Sequence, residues 1–236
     1  MRIALELPDQ ERAVEIAVAA DLAGVSAVAL PRGVASAPVA AAIAAETEDV
    51  RLLVPVTLGS DNPTTLAEEI AVVDHLSAGR TVAVVERGDL VEAEAYEDLR
   101  VLELAWSGRF VDLPARWRGD APTRIAVTPA PAQLTLPMWS ADDAFPHLPR
   151  IVEADADDAT LRTAAAARTT VSGELEPDRV LIGRLAAAGT ALAILALPPE
   201  MAVARYVARY LVPEAATPHF PRIIADSAWP ASPLSH

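Results

Sequence analysis

Residues 51–80 read RLLVPVTLGSDNPTTLAEEIAVVDHLSAGR, and this stretch decides the fold. The apolar run Val50–Leu58 predicts a buried strand. Asn62-Pro63-Thr64 predicts the start of a helix, because Asn caps free N–H groups and Pro suits the first helical turn. The helix is expected to end at Gly79, and Arg80–Val85 is the next predicted strand. Two strands joined by one helix make a parallel β-α-β unit.

The same order extends back to the first residue and on to residue 106. The strands in this part are continuous apolar runs rather than alternating ones, which is typical of a parallel sheet covered on both faces. The remaining predicted strands are Arg2–Leu7 and Ser26–Leu30. The helices are predicted at Gln10–Ala23, Pro38–Thr47, Thr64–Ser77 and Leu90–Trp106.

The second half is less regular. Residues 107–137 are rich in Pro and lack a helical period, so we predict an irregular excursion with short extended pieces at Arg109–Leu113 and Arg124–Thr128. Later strands are predicted at Pro137–Ser140, Arg150–Ala154, Thr169–Ser172 and Ala191–Leu197. Later helices are predicted at Asp158–Arg168, Pro177–Ala188 and Pro199–Leu211.

These elements predict an α/β fold, a TIM-type (β/α)8 barrel trimmed in the fifth to seventh units. An open, doubly wound sheet is the alternative. Its Gly-rich phosphate turn is missing, because Leu7-Pro8-Asp9-Gln10 follows the first strand. We expect one barrel domain over 1–213 and an extended Pro-rich tail over 214–236.

Composition excludes several chemistries. The 236 residues include no Cys and no Lys, so thiol nucleophiles, disulfides and Schiff bases are excluded. Four His residues make a His-rich zinc site an unattractive hypothesis, and we predict no metal. The net charge of -14 argues against nucleic acid and anionic membranes as partners. With no signal peptide and no apolar span of membrane length, we expect a cytoplasmic protein.

The segment Val73-Asp74-His75-Leu76-Ser77-Ala78-Gly79-Arg80 resembles the Leu-Asp-x-Leu-Ser-x-Gly-Arg turn of the bacterial luciferase-like flavin monooxygenases. Ala23-Gly24-Val25 and Leu136-Pro137-Met138-Trp139 are similar to other parts of that family, in the same order. For the turn itself we predict a structural role, with Asp74 pairing with Arg80.

The resemblance implies a TIM barrel that binds reduced FMN or the deazaflavin F420 at the carboxyl ends of its strands. It implies a flavin-dependent oxidoreductase or monooxygenase acting on a small organic substrate. It also implies a homodimer, or pairing with a homologous subunit, through the second and third helices. No catalytic residue is assigned.

The resemblance suggests a cofactor site. Arg87, just after the fourth strand, takes the place of a phosphate-binding Arg, although a surface pairing with Glu86 or Asp89 is the alternative. Arg32 is the second candidate for a positive pocket. Val54-Pro55 lies where the family often has a cis peptide under the flavin, so we predict a cis bond or a bulge at Pro55.

Other candidates carry alternatives of their own. Ser140 ends the fifth strand where the family has a phosphate turn, but Asp142 and Asp143 follow it and would repel a phosphate. A solvated helix start is the alternative for these two carboxylates. Trp139 is a candidate for contact with a ring, and core packing is its alternative. Trp106 and Trp117 are the other aromatic candidates.

Three features favour a different class of function: the missing His after the second strand, the acidic Asp142-Asp143 turn and the trimmed barrel units. The family often has an acidic residue and a His after the second strand, where this chain has Pro31-Arg32-Gly33. His75 is expected to be a partly buried structural residue, and His147 lies in a shortened loop. Glu6, Glu86 and Glu153 end strands and are expected at the barrel mouth, but no spacing links them. A non-catalytic homologue, either a partner subunit or a ligand-binding protein, is therefore the alternative function.

Overall fold

The computed structural model describes residues 1–8, 11–32, 36–118 and 124–196. Eight parallel strands form one sheet in the order β7-β4-β3-β2-β1-β10-β9-β8. These strands are β1 (Arg2–Glu6), β2 (Ala27–Ala29), β3 (Arg51–Thr57), β4 (Thr81–Glu86), β7 (Met138–Ser140), β8 (Ile151–Glu153), β9 (Ala166–Thr170) and β10 (Leu192–Ala196). A parallel bridge between Ser140 and Arg150 joins β7 to the residue before β8 and nearly closes the barrel.

Helices cover the outside of the barrel. They are α1 (Ala13–Leu22), α2 (Ser36–Glu46), α3 (Pro63–Leu76), α4 (Glu92–Trp106), α6 (Asp158–Thr163) and α7 (Leu175–Ala188). Residues that favour helix ends lie where these helices begin and end. The Asn62 side chain accepts a hydrogen bond from the Thr64 amide at the start of α3, and Gly189 ends α7 with a left-handed φ of 89°.

Two apolar layers follow from this architecture. The outer layer lies between the strands and the helices. The inner layer fills the barrel and consists mostly of small and branched side chains around the fully buried indole of Trp139. Its buried members are Ala4, Ala27, Leu53, Val82, Val84, Trp139, Ala165, Ala166, Leu192 and Ile194. The barrel is therefore a packed core, and a ligand must bind above it at one end.

The excursion after α4 is irregular, as predicted. Its short elements are β5 (Val111–Asp112), α5 (Ala115–Arg118) and β6 (Arg124–Ile125), and β5 pairs antiparallel with β6. Side chains attach it to the barrel: Arg116 binds the buried Asp98 on α4, and the Trp117 indole N–H donates to the same carboxylate at 2.9 Å.

One helix prediction is wrong at its end. The predicted helix Asp158–Arg168 stops at Thr163, and the run from Ala166 to Thr170 is strand β9 rather than a short strand at Thr169–Ser172. Ala favours helices locally, but Ala165, Ala166 and Ala167 are completely buried here. Pairing with β8 and β10 on both sides outweighs the local preference. The predicted helix 199–211 and the tail 214–236 lie outside the described residues.

The turn between α3 and β4 is structural, but its predicted ion pair is wrong. Asp74 is fully buried and accepts hydrogen bonds from the Gln133 amide and side chain, both at 2.8 Å. Burial raises the pKa of the Asp74 carboxyl, and these hydrogen bonds partly offset the effect. Arg80 instead donates to the α2–β3 connection, through the carbonyl groups of Ala44, Thr47 and Val50.

Candidate active site at the barrel mouth

A shallow pocket lies at the carboxyl ends of the strands, and we call it the barrel mouth. Its floor is apolar, and its rim carries one carboxylate and two guanidinium groups. The lining residues are Glu6, Ala29, Leu30, Arg32, Leu53, Pro55, Val84, Ile151, Arg168 and Ile194. The enclosed part of the pocket measures about 30 Å³, close to the volume of one water molecule. The described residues thus form a shallow, open depression rather than a deep cavity.

The strongest polar contact of the barrel mouth joins β1 to β9. Arg168 donates from Nε to Glu6 Oε2 at 2.7 Å and from Nη2 to Glu6 Oε1 at 2.5 Å. The pair spans β10, where the small Ala196 lies level with Glu6 in the sheet register. These hydrogen bonds raise the pKa of the Arg168 guanidinium. About a third of the Arg168 side chain remains exposed.

A second polar cluster joins β3, β4 and the β2 loop. Thr57 donates from Oγ1 to Glu86 Oε1 at 2.5 Å. The other carboxylate oxygen of Glu86 lies 3.8 Å from Nη1 of Arg32, whose side chain is about half exposed. A contact of this length across solvent contributes little to stability. Glu86 is therefore held mainly by Thr57, and Arg32 stays accessible.

Glu153 completes the charges of the barrel mouth. It is exposed and lies level with Arg168 in the register between β8 and β9. Register partners in a parallel sheet face the same side, so Glu153 points to the barrel mouth. Glu6, Glu86 and Glu153 thus converge as expected from their places at strand ends. With Glu86 and Glu153 beside the pocket, three carboxylates lie near the two guanidinium groups of its lining, so these charges do not make a positive pocket.

The predicted special geometry at Pro55 is wrong. Among the described residues the cis peptide bond is Thr128–Pro129, and β3 pairs with β4 without a break from Leu52 to Thr57. The odd-numbered residues of β3 point their N–H groups toward β2, and that strand ends level with Leu53. Pro55 is the next residue of β3 that faces β2, and the pairing with β2 ends there, as expected for a residue that has no N–H to donate. Its ring forms part of the mouth floor.

Three other predicted cofactor residues lie away from the barrel mouth. Val54 is completely buried in the outer layer, facing the helices. Trp139 is completely buried in the barrel interior, so its core alternative holds. Ser140 is buried and donates to the Asp142 carbonyl at 2.7 Å. Val54 and Trp139 therefore pack in the core, and Ser140 stabilises a turn.

Arg87 is exposed just beyond β4, beside the barrel mouth. Its backbone N–H donates to Oδ2 of Asp142 at 3.0 Å, and the Ala144 amide donates to Oδ1 at 2.8 Å. Asp142 therefore caps a turn and ties it to the β4 loop, and no helix starts there. Asp143 points away and pairs with Arg150. Both oxygens of the carboxylate that was expected to oppose a phosphate therefore already accept backbone N–H groups.

The remaining aromatic and His candidates do not reach the described pocket. His75 is exposed rather than partly buried, and its Nε2 lies 2.8 Å from the Ala130 carbonyl. His147 stacks on Tyr96 with ring centroids 5.8 Å apart. Trp106 donates its indole N–H to the Ala67 carbonyl at 3.0 Å. These contacts hold the outer helices and loops.

Sequence reasoning missed Arg168 as a site residue. It was assigned to a helix, where no reason exists for it to meet Glu6. One signal was available: Glu6, Glu86 and Glu153 each end an apolar run, and Arg168 follows the apolar run at 164–167 in the same way. Charged residues at the ends of buried parallel strands belong to the catalytic face of such a barrel.

A family model described as luciferase-like monooxygenase matches residues 3–166. The chain belongs to this family. The match spans the strands that carry Glu6, Pro55, Glu86 and Glu153 and stops just before Arg168. No curated protein matches the sequence.

Solved structures with the same fold include a monooxygenase and a reductase. A monooxygenase from Streptomyces bottropensis aligns with a TM-score of 0.73 at 14% identity, covering 92% of this chain and 100% of that one. The coenzyme F420-dependent tetrahydromethanopterin reductase from Methanopyrus kandleri aligns with a TM-score of 0.66 at 10% identity, covering 91% and 99%. At such low identities the similarity establishes the shared fold. Because each alignment covers almost the whole of both chains, the proteins are also of similar size. The described residues contain no helix of the length and apolarity that crossing a membrane requires.

Proposed function

We propose that this protein is a flavin- or F420-dependent oxidoreductase that acts on a small organic substrate at the barrel mouth. The observation that carries the proposal is an apolar floor with accessible guanidinium groups at the carboxyl ends of the strands. Leu53, Pro55 and Ile194 offer a surface for a flat ring, and Arg32 and Arg168 offer donors for anions. Membership of the luciferase-like monooxygenase family supports the same conclusion.

The residues present fit such a cofactor in chemistry. An aromatic ring system with a phosphate tail needs an apolar face and a cation, and the barrel mouth has both. Cofactor pockets usually enclose about 300–1,000 Å³, far more than the 30 Å³ that the described residues enclose. The ring is therefore expected to lie flat across the barrel mouth, above Pro55, rather than inside the barrel.

In this proposal the protein's own residues hold and orient the cofactor. The floor positions the ring and excludes water from one of its faces. Arg87 binds the phosphate from the rim, and Arg32 adds positive charge beside Glu86. A bound reduced flavin or deazaflavin supplies the hydride or the activation of oxygen.

The second candidate is a non-catalytic homologue that acts as a partner subunit or a ligand-binding protein. One specific observation favours it: each guanidinium group of the pocket lining already has a carboxylate nearby, Glu6 for Arg168 and, at 3.8 Å, Glu86 for Arg32. The chain also has Pro31-Arg32 after β2, with no His there. Such a protein would keep the barrel and lose the cofactor.

Titration of the purified full chain with FMN and F420 separates the two candidates. We expect fluorescence quenching with dissociation constants in the micromolar range for at least one of them. Reduction of the bound cofactor followed by exposure to oxygen then tests redox competence. Absence of binding at tens of micromolar would reject the oxidoreductase in favour of the non-catalytic homologue.

Arg87→Ala tests the phosphate anchor. Loss of a hydrogen bond to a charged group costs about 1.5–3 kcal/mol, so FMN binding should weaken about tenfold or more while riboflavin, which lacks the phosphate, is unaffected. Arg109→Ala is the matched control, because Arg109 is an exposed Arg after α4, at the opposite end of the barrel. Equal affinities of Arg87→Ala and the control for FMN would clear Arg87 of this role.

We also propose a homodimer, or pairing with a homologous subunit, through α2 and α3. On α3, Val72 and Leu76 are exposed one helical turn apart, which leaves an apolar strip on this helix. Light scattering after size-exclusion chromatography should give twice the 24.8 kDa chain mass. In that case Val72→Glu should return the protein to a monomer.

A further inference from the structure

We infer that Arg168 is an anion-binding residue of the barrel mouth, and that the Glu6 carboxylate competes for it with an anionic group of the ligand that offers two acceptor atoms side by side. This inference rests on the proposed function and deepens it. The ligand chemistry it names is a negatively charged group whose two adjacent acceptor atoms match the two parallel N–H groups of the guanidinium. A phosphate, a carboxylate and the anionic edge of a reduced flavin ring share this property.

The first argument is the surroundings of the pair. Ile151 and Ile194 lie below and beside the pair, and the exposed carboxylate of Glu153 on β8 is level with Arg168 on its other side. Charges placed against apolar groups lose solvation, and apolar replacements are often neutral or stabilising. The barrel interior just below is already filled by such side chains. The fold therefore has no need of an ion pair at this place.

The second argument is the way in which Arg168 is bound. Among the described residues its guanidinium donates to Glu6 alone, through Nε and Nη2. This fork of two parallel hydrogen bonds is the geometry with which Arg binds carboxylates and phosphates in general. A ligand with two adjacent acceptor atoms can replace the Glu6 carboxylate without any change in the Arg168 rotamer.

The third argument is access. About a third of the Arg168 side chain and a fifth of the Glu6 side chain are exposed, and both residues line the barrel mouth. On β10, between them, only the small Ala196 lies level with Glu6. Glu6 can therefore swing from Arg168 toward solvent, where water solvates its charge. Exchange of one oxyanion for another needs no movement of the backbone.

The test compares four forms of the full-length chain: wild type, Glu6→Gln, Arg168→Gln and the double variant. Glu46→Gln is the matched control, because it removes one negative charge from an exposed residue at the far end of α2. Each form is titrated with FMN, with riboflavin and with F420 by fluorescence, and its melting temperature is measured to establish folding. Inorganic phosphate serves as competitor.

Glu6→Gln should bind FMN or F420 about tenfold more tightly than wild type, because an amide competes less well for the guanidinium. Arg168→Gln should bind at least tenfold more weakly. The double variant should resemble Arg168→Gln, because releasing Glu6 has no effect without Arg168. If Glu6→Gln binds both FMN and riboflavin more tightly than wild type does, Arg168 binds the edge of the ring. If it binds only FMN more tightly, and inorganic phosphate abolishes the difference, Arg168 binds the phosphate.

Unchanged or weaker binding by Glu6→Gln would overturn the inference, as would a double variant that behaves like Glu6→Gln. If wild type binds FMN or F420 and Glu6→Gln does not improve the affinity, the inference fails and the proposed function stands. If no form binds FMN, riboflavin or F420, the proposed function fails. The inference is then tested with inorganic phosphate alone. A rise in the melting temperature of Glu6→Gln but not of wild type supports it, and an equal change in both rejects it.

Discussion

Two arginines at opposite ends of the barrel are used in opposite ways. Arg80 lies at the amino end, is 5% exposed, and donates mainly to backbone carbonyl groups. Arg168 lies at the carboxyl end, is a third exposed, and donates to the one carboxylate of Glu6. The acceptors of Arg80 are Ala44, Thr47, Val50, Ser77 and the Thr47 hydroxyl.

The difference lies in what the acceptors can do when the arginine is taken away. Backbone carbonyl groups are fixed by the chain and stay buried, so they lose their partner completely. A carboxylate on a flexible side chain turns to water. Arg80 therefore stabilises the fold, whereas Arg168 holds a contact that can be exchanged. This agrees with the general division of such barrels into a stabilising amino end and a functional carboxyl end.

The largest expected effect is that of Arg80→Met. Methionine keeps much of the apolar stem but leaves several buried carbonyl groups without donors, which should lower the free energy of unfolding by about 3–5 kcal/mol. Urea denaturation followed by circular dichroism measures this loss. Ligand affinity per folded molecule should be unchanged. A loss below about 1 kcal/mol would remove the distinction between the two arginines.

Glu103 on α4 sharpens the comparison with a half-buried carboxyl, for which the charge of Arg100 offsets the effect of burial only in part. Its Oε1 is buried without a hydrogen-bond partner among the described residues, and burial raises the pKa of the carboxyl to about 7. A pKa raised on folding means that the stabilising contribution is complete below pH 4.5 and is lost as the pH rises through about 7. Wild type should therefore lose stability over that range.

Glu103→Gln removes this titration. Near pH 5 the variant and wild type should be about equally stable, and at pH 8 the variant should be more stable by about 1–2 kcal/mol, since solvent screens part of the full effect. Thermal melts at a series of pH values measure the difference. A difference that does not vary with pH would show that Glu103 is solvated in the folded protein.

The smallest expected effect is that of Arg168→Gln on stability. A partly exposed ion pair contributes about 0–1 kcal/mol, so the free energy of unfolding should change by no more than this. The same urea experiment as for Arg80→Met allows direct comparison. A loss of 3 kcal/mol or more would make Arg168 a structural residue like Arg80 and would count against an exchangeable contact.

The regular first half of the molecule could be predicted well from its sequence. From Arg2 to Trp106 the strands are apolar runs and the helix ends carry Pro, Asn or Gly signals, which act within a few residues. The second half was predicted less well because its strands are short. At Ala166–Thr170, a run of Ala without a local strand signal becomes a strand only through its neighbours in the sheet.

The candidate site shows the same limit. Glu6 and Glu86 were placed at the barrel mouth because a strand end determines which face of the barrel a residue is near. Pairings between distant residues were wrong or missed: Asp74 binds Gln133 instead of Arg80, and Arg168 binds Glu6 across 162 positions. Such pairings depend on the barrel closing, which local patterns do not encode.

The sequence by itself determined the parallel βα order, the family turn at 73–80 and the absence of thiol and amine chemistry, because these depend on residue type and local spacing. Only the tertiary structure decided that Pro55 lies in an unbroken strand, that Trp139 fills the barrel, and that Arg168 meets Glu6. Each depends on which strands become neighbours and where each strand ends. Burial and partner are properties of the closed barrel, so they appear only when all eight strands are in place.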